Sequence, residues 1–184
     1  ELKQDLQRSE NEGFSIINES SKKKDLMKKN AGNDAPDQET IVQALIKSYW
    51  SEIETVINYI AHSVNLDGVR AQEIKKSLSA EVGDELMHAQ NLAKRIKELK
   101  GTIPTSAGFK SQQPFLQATP DTNNVKVVIK GVISAEEGAI RQYRELIKMC
   151  GKNEDYVTQE LIIDNLSDEE AHKSIFEGFL KEYE

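Results

Sequence analysis

The sequence predicts an all-α fold: a four-helix bundle with a long crossover between the second and third helices, preceded by an N-terminal extension. The only prolines of the 184-residue chain are at positions 36, 104, 114 and 120, so the blocks 37–103 and 121–184 contain none. Each block is long enough for two helices, whose interiors exclude proline. Apolar residues recur in both blocks at steps of three and four, the spacing of one helix face. Acidic and histidine residues also repeat between the blocks at a constant offset.

Composition limits the classes of protein to which the chain can belong. With 38% hydrophobic and 30% charged residues it fits one domain at 36–184, after an extension at 1–35. The 24 basic and 31 acidic residues give a net charge of -7, which argues against nucleic-acid binding. The single Cys150 excludes an intrachain disulfide and favours a reducing, cytoplasmic location. No apolar run approaches the roughly 20 residues that span a bilayer, and we expect no membrane association. Because the first residue is Glu1 rather than Met, a removed leader stays open.

The extension, residues 1–35, is polar and weakly patterned. Its lysine-rich stretch at 22–29 could form a short basic helix that ends at 30–34. We favour a solvated or oligomer-contacting tail over a nucleic-acid arm.

The first helix carries an apolar stripe with a glutamate inside it. Glu52 lies one heptad after Leu45 and one before Tyr59, so it is predicted to face the core. Glu54 aligns with Lys47, Asn58 and Asn65 and is predicted to face solvent. The stripe consists of Val42, Leu45, Ile46, Tyr49, Ile53, Val56, Ile57 and Ile60.

The other three helices each place one glutamate on an apolar face in the same way. Glu136 lies between Ile133 and Ile140, whereas Glu137 aligns with basic residues. Glu85 shares a face with Ile74, Leu78, Val82, Leu92, Ile96 and Leu99. Glu169 shares a face with Ile162, Leu166, Phe176 and Leu180, and Glu170 turns away.

Two of these glutamates are followed three residues later by a histidine. Residues three apart share a helix face, so each Glu-x-x-His motif offers two metal ligands to one point. The offset between the halves is 84 in every case: Glu52 and Glu136, Glu85 and Glu169, His88 and His172. A lone Glu-x-x-His is common by chance, but six positions that keep one offset on four apolar stripes are not.

A cation resolves the cost of burying these carboxylates. A buried, unpaired carboxylate costs several kcal/mol, and no basic residue is patterned onto these faces. Four carboxylates and two neutral imidazoles balance two divalent metals. The oxygen-rich set suits iron, with manganese as the alternative, better than zinc or copper. The sequence therefore predicts a two-metal site in the core.

One glutamate from each of two helices plus Glu-x-x-His from each of the other two resembles the ferritin-like di-iron and di-manganese carboxylate bundles. Over about 41–183 the chain is most similar to bacterioferritins and Dps-like ferritins. The resemblance rests on Glu52 with the stretch Tyr59–His62, and on the stretches Asp84–Ala89 and Leu166–His172.

The resemblance implies a role for each ligand. Glu85 and Glu169 would bridge the two metals, and Glu52 and Glu136 would be terminal ligands. His88 and His172 would each bind one metal. In bacterioferritins a methionine that follows the first glutamate of the first motif binds haem between subunits. This chain has Leu86 there, with Met87 about 100° away around the helix, so we expect no haem.

The crossover between the halves, from Gly101 to Asp121, is far longer than an antiparallel helix pair needs. It suits the single long crossover of ferritin-like bundles, with the second and third helices parallel. It carries no catalytic motif. Phe109, Phe115 and Leu116 are expected to hold it against the bundle or a neighbouring subunit.

Several further residues have open interpretations. Tyr59 and Tyr143 lie one heptad from Glu52 and Glu136, and could hydrogen-bond a ligand or supply an electron, or be ordinary core tyrosines. Asp84 and Asp168 precede the proposed bridging glutamates and could orient a histidine or form surface ion pairs. His62 is expected to be structural and Cys150 incidental. Gly68 and Gly151 are predicted to mark the two short turns.

The leading function is a ferroxidase with iron storage or detoxification, which oxidises Fe(II) with O2 or H2O2 at two iron ions per subunit. We expect a homo-oligomer, and a cage only by resemblance. One alternative is a di-manganese catalase or a rubrerythrin-type peroxidase, although the Cys-x-x-Cys pairs of a rubredoxin domain are absent. Another is a Dps-like protective shell. Dps-like proteins usually place iron between subunits, whereas this chain carries a complete ligand set.

Overall fold

The computed structural model describes residues 37–183, in which four long helices and no strand are present. The helices are α1 (Gln38–Asn65), α2 (Gln72–Glu98), α3 (Val125–Lys152) and α4 (Tyr156–Leu180). Short 3-10 turns lie at Val69–Ala71, Ser106–Gly108, Pro114–Leu116 and Lys181–Tyr183. The predicted all-α bundle is confirmed. The predicted basic helix at 22–29 lies outside the described residues, and the division of the chain at 35/36 stays a prediction.

Three of the four helices begin at a side-chain cap. Asp37, Asn124 and Asp155 each accept a hydrogen bond from the backbone N–H three residues later, which satisfies one of the free donors of the first turn. None of the helices in 37–183 is apolar and long enough to cross a membrane.

Two contacts define the path of the crossover. At its beginning, the Gln38 side chain donates to the carbonyl oxygen of Leu99 at 2.8 Å. Near its end, the Thr122 carbonyl oxygen accepts from the N–H of Asp67 at 2.9 Å. The crossover therefore leaves α2 beside the start of α1 and reaches α3 beside the end of α1. Because a 28-residue helix is about 42 Å long, the crossover runs the length of the bundle, and α2 and α3 are parallel.

The two short turns differ in how far they match the prediction. Gly68 lies in the α1–α2 connection with φ of 96°, a conformation that favours glycine. Gly151 lies in the last turn of α3, one residue before the helix ends at Lys152, and its carbonyl oxygen accepts from the N–H of Glu154 at 3.4 Å. The left-handed residue there is Glu154, with φ of 57°. The helix continues past Gly151 because the turn forms through backbone bonds from Asn153 and Asp155 to the carbonyl oxygen of Cys150.

The apolar core consists of two clusters that lie toward opposite ends of the bundle. One contains Leu78 and Ile129, and the other contains Leu45, Leu92 and Ile162. Along each helix the predicted ligands fall between the residues of the two clusters. The polar site therefore lies near mid-height, between two apolar layers.

The outer face of α1 differs from the sequence prediction. Glu54 and Asn58, predicted to face solvent, are buried, with 3% and 7% of their surface exposed. Ile57 and Ile60, predicted to be part of the buried stripe, are about half exposed, at 51% and 48%. Helical periodicity identified the face that packs on the other helices, but it carries no information about the crossover, which covers part of the opposite face.

The Glu54 carboxylate holds that crossover in place. It accepts hydrogen bonds from the Ser111 hydroxyl at 2.7 Å, and from the backbone N–H groups of Gln112 at 2.7 Å and Gln113 at 2.9 Å. The Gln113 side chain in turn accepts from Asn58 at 2.9 Å. These bonds satisfy backbone donors that burial would otherwise leave without a partner.

Apolar contacts complete the attachment of the crossover. Leu116 is buried and Phe109 packs edge-on against Trp50, whereas Phe115 remains 45% exposed. A side chain at Gly131 would place its Cβ 2.7 Å from the Phe115 carbonyl oxygen, so the crossover passes directly over a glycine of α3.

His62 also belongs to this attachment rather than to a metal site. It is buried, and its Nε2 lies 3.0 Å from the Leu116 carbonyl oxygen, to which it can donate. This contact fits the structural role expected from the sequence.

Candidate metal centre

The structure brings all six predicted ligands together in the middle of the bundle, and all six are buried. Their ligand atoms form two overlapping groups, each within 4.8 Å. The groups are Glu52, Glu85, His88 and Glu169, and Glu85, Glu136, Glu169 and His172.

Glu85 and Glu169 are the two residues that the groups share. They come from α2 and α4, and each lies three residues before its histidine on the same helix face. The other carboxylates come from α1 and α3, and each belongs to one group. This division agrees with the bridging and terminal roles that the resemblance implies, although those roles stay a prediction.

Several buried atoms at this point have no hydrogen-bond partner among the described residues: both carboxylate oxygens of Glu85, Oε1 of Glu169, and Nδ1 of His88 and His172. The Nδ1 of His88 lies 3.1 Å from Glu169 Oε1, and the Nδ1 of His172 lies 3.4 Å from Glu85 Oε1, without the alignment of a hydrogen bond. Leaving buried polar atoms unsatisfied is costly. Nitrogen and oxygen atoms that converge in this way fit a pair of metal ions.

The opposite nitrogen of each histidine faces an aspartate from the other repeat. His88 Nε2 lies 3.1 Å from Asp168 Oδ2, and His172 Nε2 lies 3.9 Å from Asp84 Oδ2. A carboxylate behind the ring favours a proton on Nε2 and leaves Nδ1 free to bind a metal. The geometry therefore favours the orienting role over a plain surface ion pair, more strongly for Asp168 than for Asp84.

The two tyrosines hydrogen-bond ligand carboxylates, but across the repeats. The Tyr59 hydroxyl of α1 donates to Glu136 of α3, and the Tyr143 hydroxyl of α3 donates to Glu52 of α1. Heptad spacing had placed each tyrosine near the glutamate of its own helix. Each tyrosine instead reaches the ligand on the neighbouring antiparallel helix and holds it in place.

Without bound metal, the carboxylates and imidazoles of the metal centre hold protons. Burial, together with the charge of Glu85, raises the pKa of Glu52 and of Glu169 well above the usual range, and burial also raises the pKa of Glu136. Glu85 is the exception. Burial opposes its ionisation, but the imidazole rings of His172 and His88 beside it lower its pKa to about 2.

The negative charge of Glu85 also changes the pKa of the two histidines. Burial lowers the pKa of His172, but the nearby carboxylate of Glu85 outweighs this effect and raises that pKa to about 9. The pKa of His88 is raised for the same reasons. Protons on these groups therefore offset the buried negative charge that two dications would otherwise neutralise.

One further buried carboxylate, Glu81, was not predicted from the sequence. It is 5% exposed, one turn before Glu85 on the same face of α2. Burial raises its pKa to about 8, and the charges of His172, Glu136 and Glu85 also act on it. Its position four residues before Glu85 was the available signal, but Glu81 has no acidic counterpart at the offset of 84, which was the criterion for choosing ligands.

Cys150 takes no part in this site. It is buried in the apolar cluster around Leu92, and burial raises its thiol pKa to about 11. The protonated thiol is a poor nucleophile and a poor metal ligand, as expected for an incidental cysteine.

Comparisons with known proteins show the family and the fold of the chain. The sequence model of the protein family described as the ferritin-like domain matches residues 42–184. The bacterioferritin of Desulfovibrio desulfuricans is 28% identical over 148 residues, which cover 80% of this chain and 78% of the relative. The bacterioferritin of Brucella melitensis biotype 1 is 27% identical over 139 residues, covering 74% and 80%. A crystal structure of ferritin-like, diiron-carboxylate proteins from Bacillus anthracis strain Ames is similar in fold, with a TM-score of 0.70, 21% identity and coverage of 78% and 96%.

Proposed function

Because the chain belongs to the ferritin-like family, we propose that it is a ferroxidase that oxidises Fe(II) at a di-iron site within one subunit, for iron storage or detoxification. The observation that carries the proposal is the set of buried Glu and His atoms that face one another without hydrogen-bond partners. Such a set is costly in a purely structural core and suits a pair of cations.

The ligand set decides the class of metal. Four carboxylates and two imidazoles neutralise two divalent ions, and their oxygen-rich character favours iron, with manganese as the alternative. We propose that Glu85 and Glu169 bridge the ions, which both ligand groups permit because both contain them. Glu52 with His88, and Glu136 with His172, would complete the two positions.

Two ferrous ions held side by side could supply two electrons together. These electrons would reduce one dioxygen molecule, which takes up two protons to become hydrogen peroxide, and two ferric ions would remain. The protein's part is to hold the carboxylates and imidazoles in register. Tyr143 and Tyr59 fix the terminal glutamates, and Asp168 orients His88. The apolar clusters on either side restrict water around the site.

We also propose that the chain assembles into a homo-oligomer without haem. Several large apolar side chains are exposed on α1 and α2, a surface that a second subunit could cover: Ile57, Ile60, Val64, Leu86 and Met87. Light scattering would give the subunit number and decide whether a cage forms. A Soret band after expression with ample haem would contradict the haem-free proposal.

The alternatives use the same ligands but different reactants. A di-manganese catalase would release dioxygen from hydrogen peroxide, and a rubrerythrin-type peroxidase would need an electron donor. A Dps-like shell would protect DNA without a rapid oxidation of paired Fe(II) ions. We favour the ferroxidase because the ligand set is complete within one chain and two curated relatives are bacterioferritins.

The experiment tests the bridging roles directly. Fe(II) is titrated anaerobically into the wild type and into Glu85→Ala, Glu169→Ala and Glu137→Ala, and oxygen uptake is then recorded. Glu137 is the matched control, because it is an α3 glutamate that pairs with Lys173 on the surface. The wild type and the control should bind two ions per subunit and show a fast phase that consumes half as many O2 molecules as Fe(II) ions.

Loss of either bridging glutamate should remove the fast paired phase even where one ion still binds, because each glutamate touches both ions. A full fast phase in both bridging variants would contradict the di-iron ferroxidase. Dioxygen release from peroxide with manganese, but no oxidation of Fe(II), would favour the catalase.

A further inference from the structure

The two halves of the metal centre differ at one pair of positions. The offset of 84 that relates the six ligands also relates Glu81 of α2 to Asn165 of α4. Both residues are buried, and both lie one turn before a shared glutamate of the centre. One half of the centre therefore has an additional carboxylate where the other half has a neutral amide.

The amide has a hydrogen-bond partner. Asn165 donates to the Tyr143 hydroxyl at 3.2 Å, and that hydroxyl donates to Glu52. This chain of bonds supports the ligand of the His88 half. Asn165 is therefore a positioning residue for Glu52.

The Glu81 carboxylate, by contrast, has a hydrogen-bond partner for only one of its two oxygens among the described residues. Ser77 donates to Glu81 Oε1 at 3.1 Å, but Glu81 Oε2 is buried with no hydrogen-bond partner among the described residues. Tyr59 corresponds to Tyr143 in the repeat, but its hydroxyl donates to Glu136. Glu81 thus keeps a free oxygen at a buried position, where an unpaired carboxylate costs several kcal/mol.

The repeat assigns Glu81 to the half that contains His172. Its counterpart Asn165 contacts Tyr143, and the counterpart of Tyr143 is Tyr59, which donates to Glu136 of that half. The charges near Glu81 agree with this assignment. Its ionisation responds to His172 and Glu136, the residues particular to one ligand group, and also to the shared Glu85. The charge of Glu81 also contributes to raising the pKa of Tyr59, the tyrosine of the same half.

We propose that Glu81 is a seventh ligand of the centre and its fifth carboxylate, which supplies its free oxygen to the ion held by Glu136 and His172. The inference rests on the proposed function, because it needs metal ions at that centre. Its counterpart at the other ion is the neutral Asn165, so the two metal positions are chemically unequal. The position beside Glu81 carries more negative charge and offers one ligand more.

The test isolates each metal position in turn with Co(II), a spectroscopic probe that does not require oxidation. His88→Ala leaves the His172 position, and His172→Ala leaves the His88 position. Into each background we introduce Glu81→Gln, which keeps the size and an oxygen for Ser77 but removes the charge. Glu73→Gln makes the same chemical change at an exposed site of the same helix and serves as the control.

We expect Glu81→Gln to weaken Co(II) binding roughly tenfold or more in the His88→Ala background, with a change in the visible Co(II) spectrum. Binding in the His172→Ala background should not change, and Glu73→Gln should leave both unchanged. Equal losses in the two backgrounds, or no loss in either, would overturn the inference.

A second variant separates ligation from charge at a distance. Glu81→Asp keeps the charge but shortens the side chain by one methylene. Direct ligation predicts that it binds Co(II) as weakly as Glu81→Gln, whereas wild-type affinity would contradict a ligand role. The proposed function is judged separately by the unmodified protein: failure to bind a pair of ions would overturn that proposal, whatever Glu81 does.

Discussion

At the scale of single residues, the site is made of groups that are unfavourable alone and compatible together. Glu52 is almost fully buried and accepts a hydrogen bond from the Tyr143 hydroxyl, so its negative charge still needs a proton or a bound cation. Glu54 is two residues away and equally buried, but its carboxylate is satisfied by the crossover. Neighbouring glutamates of one helix therefore have different tasks.

This contrast predicts a difference between two matched variants. Glu52→Gln should lower the number of Co(II) ions bound per subunit, because an amide is a far weaker ligand than a carboxylate. Glu54→Gln should leave that number at the wild-type value. Titration followed by absorption measures both. Equal losses of metal in the two variants would contradict the assignment of Glu52 to the centre.

The protons held by the metal-free centre predict how stability depends on pH. The folded pKa of His172 is raised from 6.5 to about 9 and that of Glu81 from 4.5 to about 8. A folded state that binds more protons than the unfolded chain loses stability as pH rises. The His172 contribution is therefore lost between 6.5 and about 9, and the Glu81 contribution between 4.5 and about 8.

Thermal unfolding of metal-free protein should give a Tm that falls from about pH 6 to about pH 9. Saturating Co(II) should reduce or reverse this trend, because metal replaces the protons on its ligands. A Tm of the metal-free protein that rises across this range would contradict the proton-holding cluster.

At the scale of elements, the crossover is more than a connection. It packs along the C-terminal half of α1. Its attachment depends on the buried carboxylate of Glu54, the imidazole of His62 and the close approach to Gly131. These three contacts hold the crossover along α1 and α3 without involving the metal ligands. Attachment of the crossover and construction of the centre are therefore separable.

We expect Glu54→Ala to destabilise the protein by about 1–3 kcal/mol, because it leaves the buried N–H of Gln113 and the partly buried N–H of Gln112 without acceptors. Metal stoichiometry should stay unchanged. Chemical denaturation measures the loss, with Glu160→Ala, an exposed site on α4, as the control. A loss no larger than that of the control would show that the carboxylate does not hold the crossover.

The four helices were predictable from the sequence because proline placement and apolar periodicity act locally. The convergence of the six side chains was predictable because glutamates interrupt four apolar stripes at one offset. The burial of Glu54 and Asn58 was not, since it depends on a segment about 55 residues away in sequence that has no periodic pattern. Glu81 was missed because ligands were chosen by the repeat, and the residue 84 positions after Glu81 is not acidic.

At the scale of the whole molecule, the repeat of helix pairs gives the centre an approximate two-fold arrangement. Ligands, tyrosines and histidine-facing aspartates all occur twice, once in each half. The two halves meet at mid-height between the apolar clusters, where the shared Glu85 and Glu169 belong to both ligand groups. The fold thus places two similar half-sites face to face, which is how a single chain can hold a pair of ions.

The central claim is that the six residues hold two metal ions between the four helices. The most direct test is anomalous diffraction at the iron edge, on crystals soaked anaerobically with Fe(II). The account predicts two anomalous peaks, both next to Glu85 and Glu169, with one beside His88 and the other beside His172. Peaks only elsewhere on the molecule, or none among these six side chains at saturating Fe(II), would contradict it.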